Sequence, residues 1–156
     1  MKKLILVFIF GIPLIGCVPK YQSLSPNNGV SLTIKNEGRA AMTNIYADAR
    51  CTPLANGESL GSIGAMRVAS MSDFQKTVYV TPNREITLYM EWYGPISGEC
   101  VQTATFIPQI NTLYFAEYKW EQQNCKLEIS SKKYDEPNFQ PLTQSNVKYG
   151  NSHCAH

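Results

Sequence analysis

The sequence predicts an all-β protein, an antiparallel β-sandwich of immunoglobulin-like or transthyretin-like type with about seven strands. Three observations support this. Apolar residues alternate with polar ones over short runs. Turn-forming clusters separate those runs at intervals of about 8–12 residues. No stretch carries a strong helical period, and no internal repeat of fixed length appears.

The elements follow in order. Val30-Ser31-Leu32-Thr33-Ile34-Lys35 alternates strictly, so one face is expected to be buried, and Asn36-Glu37-Gly38 turns the chain. Met42 to Ala49 is a second strand, with Thr43, Ile45 and Tyr46 as strand formers. Thr52 to Gly64 carries Pro53, Gly57, Gly61 and Gly64 and reads as a long loop. Gln75 to Val80 is the third strand, and Thr81-Pro82-Asn83-Arg84 a turn. Glu85 to Trp92 gives the clearest strand. Ile86, Leu88, Met90 and Trp92 share the face expected inside. Thr87, Tyr89 and Glu91 share the other, where Tyr79 could join Tyr89 across a hairpin. Tyr93-Gly94-Pro95 ends it. Val101 to Ile107, Leu113 to Trp120 and Lys126 to Ile129 complete the set, separated by turns at 108–111 and 121–124.

Outside these strands the chain divides simply. Residues 1–16 form a leader, with Met1-Lys2-Lys3 ahead of an apolar run from Leu4 to Ile15. A membrane-spanning helix needs about 20 apolar residues, so this run is too short to be one. Residues 17–28 read as a flexible tether rich in Pro, Ser and Asn. The sandwich occupies 29–131. The tail, 132–156, is polar and is expected to be mostly irregular.

Leu14-Ile15-Gly16-Cys17 resembles the lipobox of bacterial lipoproteins. The resemblance implies cleavage before Cys17, a diacylglycerol thioether on its sulfur and N-acylation of its new amine. Stable anchoring takes about two acyl chains, and a triacylated Cys17 would exceed that. Val18 departs from the Asp that retains enterobacterial lipoproteins in the inner membrane. The expected location is therefore the outer membrane, with the domain facing the periplasm.

Charge and cysteine content agree with export. Of the 14 Lys and Arg, two are Lys2 and Lys3, so the chain after the leader carries 12 basic against 12 acidic residues. That balance points to neither nucleic acid nor electrostatic adhesion to anionic lipid. With Cys17 given to lipid, Cys51, Cys100, Cys125 and Cys154 remain, an even number that reads as two disulfides with three possible pairings. In a simple meander Cys100 and Cys125 would lie two strands apart, about 10 Å, too far for a bridge unless one strand left the sheet. Residues 100–129 nevertheless resemble a layout seen in small uncharacterised proteobacterial β-sandwich lipoproteins. A cysteine strand ends in Phe106-Ile107-Pro108, a strand with Tyr114 follows, and a second cysteine comes after it. This resemblance implies the pairing Cys100–Cys125. The companion expectation is Cys51–Cys154, which would pin the tail.

No catalytic constellation emerges. The histidines, His153 and His156, lie in the tail, away from any nucleophile–base pattern. His153-Cys154-Ala155-His156 reads as part of a disulfide rather than a metal site, so no metal or cofactor is expected. There is no CxxC, and Gly61-Ser62-Ile63-Gly64 lacks the context of a phosphate loop. Glu91 and Glu99 bracket a loop, as two solvated acids commonly do. The expectation is a non-enzymatic accessory lipoprotein that meets another envelope protein. The alternatives are a glycan- or peptidoglycan-binding module using exposed aromatics, with Tyr89 and Tyr93 as the candidate surface, and a lysozyme-inhibitor-type lipoprotein.

Overall fold

In the computed structural model, residues 23–37, 41–50, 74–94, 98–121 and 124–151 are described. They form nine strands: β1 Val30–Glu37, β2 Met42–Tyr46, β3 Phe74–Val80, β4 Ile86–Gly94, β5 Gly98–Phe106, β6 Thr112–Glu121, β7 Asn124–Lys133, β8 Gln140–Pro141 and β9 Val147–Gly150. One sheet has the order β3-β1-β6-β7-β8 and the other β2-β4-β5-β9. The protein is thus an all-β sandwich. Two strands beyond the expected seven come from the tail, where Val147 is buried opposite Phe106. Every pairing is antiparallel except β1 with β6, which run parallel from Leu32↔Tyr114 to Glu37↔Lys119.

The core forms between the sheets. Along β1, Val30, Leu32, Ile34 and Asn36 point inward, as strict alternation dictates. Ile86, Leu88, Met90 and Trp92 do the same on β4, in the expected register. They meet Tyr114, Ala116 and Tyr118 of β6 and Leu127 and Ile129 of β7 in one cluster.

The hairpin expected between Tyr79 and Tyr89 does not form, because β3 and β4 belong to different sheets. The Pro82–Arg84 segment carries the chain over the end of the sandwich instead. A second crossing, Ile107 to Asn111, lies beside it, and the Asn83 N–H donates to the Pro108 carbonyl at 2.7 Å. Asn83 (φ 56°) and Asn111 (φ 58°) adopt the left-handed conformation that asparagine tolerates better than most residues.

The second crossing also resolves the distance problem of the disulfide. β5 lies in one sheet and β7 in the other, so Cys100 and Cys125 face each other across the interior. Their Cα atoms are 6.0 Å apart and their sulfurs are bonded.

The domain begins earlier than position 29. Ser23 and Leu24, expected in the tether, dock on the outer edge of β3: the Tyr79 N–H donates to Ser23 Oγ at 2.7 Å and the Leu24 N–H to the Tyr79 carbonyl at 3.1 Å. A turn closed by N–H groups of Asn28 and Gly29 on the Ser25 carbonyl then leads into β1. Gly29 is required there, since a Cβ would stand 2.7 Å from that of Tyr79.

Candidate functional site

The two ends of the sandwich differ in character. At the far end from Ser23, Trp92 pairs with Cys100 in one sheet and Trp120 with Cys125 in the other. The indoles meet with centroids 4.5 Å apart and the disulfide links their partners. Buried Tyr118 donates its hydroxyl to the Cys100 carbonyl at 3.0 Å. Burial, and then the charge of Glu91, push its phenol far above the ordinary tyrosine range. This end is a cross-braced corner.

The near end carries loops, a cleft of about 800 Å³ and exposed apolar side chains. The cleft opens between the β5–β6 loop and the segment from β7 to β9. Ile107, Ile110, Leu142 and Val147 supply apolar walls, and Lys133, Glu136 and Lys148 supply charge. The Tyr114 hydroxyl shapes its floor by accepting the Gln109 N–H at 3.0 Å, and burial raises that phenol's pKa as well. The Lys133 N–H donates to Glu136 Oε2 at 3.0 Å. These groups suit a ligand or surface with both apolar and polar contacts. Among the described residues no cluster of three or more His, Cys, Asp or Glu could hold a metal.

The expected aromatic surface is corrected in part. Tyr89 is buried, only 4 % exposed, with its ring edge-on to Tyr46 at 6.1 Å and Val101 beside it. Its hydroxyl donates to Glu91 at 2.8 Å. The inference that alternation leaves Tyr89 outside assumed that one face of β4 meets water. Instead Thr87, Tyr89, Val101 and Thr105 are buried on the outer face too, with Thr87 and Thr105 hydroxyls 2.7 Å apart. The backbone of Tyr93 pairs with Glu99, but both side chains lie outside the described residues. Cys17, Cys51, Cys154, His153, His156 and the loop 52–64 also lie outside them.

The outer face of the other sheet carries a charged row. Glu117 on β6 sits between Lys119 at 2.8 Å and Lys35 at 3.3 Å, and Lys35 also pairs with Glu37. Burial pushes the Glu117 carboxyl up, but the hydrogen bonds from Lys119 and Lys35 outweigh it and hold the group below its ordinary value. Hydrogen bonding to Glu37 raises Lys35. The row is a half-exposed network of ion pairs across β1 and β6.

Sequence reasoning missed the near end. Its signal was Ile110, an isoleucine inside a Pro-Gln-Ile-Asn turn where no strand can bury it. No protein-family model matches the chain, and neither a curated protein nor a solved structure is significantly similar to it.

Proposed function

We propose that this chain is a lipid-anchored, non-enzymatic lipoprotein of the bacterial outer membrane, held through Cys17 and facing the periplasm, where it serves as an accessory module for another envelope protein. The observation that carries this reading is Leu14-Ile15-Gly16-Cys17, directly behind a charged and apolar leader and six residues ahead of the first described residue, Ser23. A disulfide inside the sandwich fits an oxidising compartment. The histidine-poor sequence favours binding over hydrolysis. The burial of Tyr89 removes one of the two aromatics that the glycan reading offered as its surface.

Crosslinking in intact cells, followed by purification from solubilised membranes, tests the partner. One envelope protein recovered in stoichiometric amount supports the role. Recovery of peptidoglycan fragments alone would favour the glycan-binding alternative.

A further inference from the structure

We infer that the near end of the sandwich, presenting Ile107, Ile110 and Tyr134, rests on the bilayer that holds the Cys17 anchor, an inference that rests on the lipoprotein reading above. Ile107 is 48 % exposed, Ile110 59 % and Tyr134 63 %. Single exposed apolar residues are ordinary. These three, however, lie on neighbouring loops joined by the Tyr134 N–H on the Asn111 carbonyl at 3.2 Å. Two isoleucines beside a tyrosine suit the boundary of headgroups and acyl chains, where an aromatic ring with a polar tip is favoured.

The tether supplies the second argument. Ser23 is hydrogen-bonded to Tyr79, one residue before the end of β3, so the anchored chain enters at this same end. Five residues lie between Cys17 and Ser23, and this stretch of six steps reaches at most about 22 Å. The ten residues of β6 alone extend about 33 Å. The far end, with Trp92 and Trp120, therefore cannot face the bilayer. Anchoring also makes loop–lipid contact intramolecular, so contacts too weak to recruit a free protein suffice to orient a tethered one.

Mature lipidated protein, the whole chain from Cys17, in vesicles of phosphatidylethanolamine and phosphatidylglycerol, with and without brominated acyl chains, tests this. Lipidation is first checked by intact mass. Tryptophan emission is then compared for the unaltered protein, Ile110→Trp, Tyr134→Trp and the far-end control Glu121→Trp. The expected result is that brominated lipid removes roughly half of the added emission at position 110 or 134, as burial to boundary depth implies. The control and the unaltered protein should keep theirs. Unquenched emission at both 110 and 134, in protein whose mass includes the acyl chains, would overturn the contact while leaving the anchor intact. Quenching of Glu121→Trp in their place would overturn the orientation. A mass without acyl chains would remove the lipoprotein reading and this inference with it.

Discussion

Trp92 and Trp120 meet across the sandwich with ring centroids 4.5 Å apart and planes inclined by 52°, and each stands opposite one half of the Cys100–Cys125 disulfide. Four side chains from two sheets thus close the far end by one covalent bond and one aromatic contact. The chain between the cysteines spans 25 positions, a loop that the bond also constrains in the unfolded state.

Replacing both cysteines by Ala should therefore lower stability by about 3–4 kcal/mol on the chain-entropy account. Denaturant titration measures it, and the slope m should rise because the released unfolded chain exposes more surface. A loss under about 1 kcal/mol would mean that the tryptophan contact and the core hold this corner without the bond.

Leu88 is fully buried at the centre of β4. Leu88→Ala should cost about 2–5 kcal/mol. A change near the ±0.5 kcal/mol typical of surface sites would reverse the register of the strand.

Tyr118 links stability to alkaline pH. Burial raises its phenol above the ordinary value of 10.0. The unfolded chain then loses this proton first as pH rises, so the native state holds more protons and stability falls with pH. The contribution is fully present below the ordinary tyrosine value and is lost progressively above it. Burial raises Tyr114 and Tyr46 in the same direction. Tyr118→Phe should cost about 1 kcal/mol at neutral pH through the lost hydrogen bond to Cys100, and should flatten the alkaline decline. An unchanged decline in that variant would place the linkage in other groups.

Most of the strands were legible because each has one inward row: Val30, Leu32 and Ile34, or Ile86, Leu88, Met90 and Trp92. Sheet assignment was not legible. A turn such as Pro108–Asn111 reads alike whether it joins neighbours in one sheet or carries the chain between two, and only the second makes the Cys100–Cys125 distance possible. The parallel β1–β6 pair is equally silent, since a register between positions 82 apart leaves no local pattern. Tyr89 misled for a related reason: periodicity reports which residues share a face and says nothing of what covers that face. The tail strand β9 was hidden because only Val147 is apolar and buried in it, with Tyr149 reaching across to accept the Ile129 N–H at 3.0 Å.

Mass spectrometry of the N-terminal peptide, from protein purified out of native membranes, decides whether Cys17 carries lipid. The expected mature chain begins at Cys17, with a diacylglycerol thioether on its sulfur and an acyl group on its amine. Cys17→Ser should correspondingly release the domain from the membrane fraction. A peptide that retains Met1, or one that carries Cys17 unmodified in membrane-bound protein, would rule out the lipid anchor.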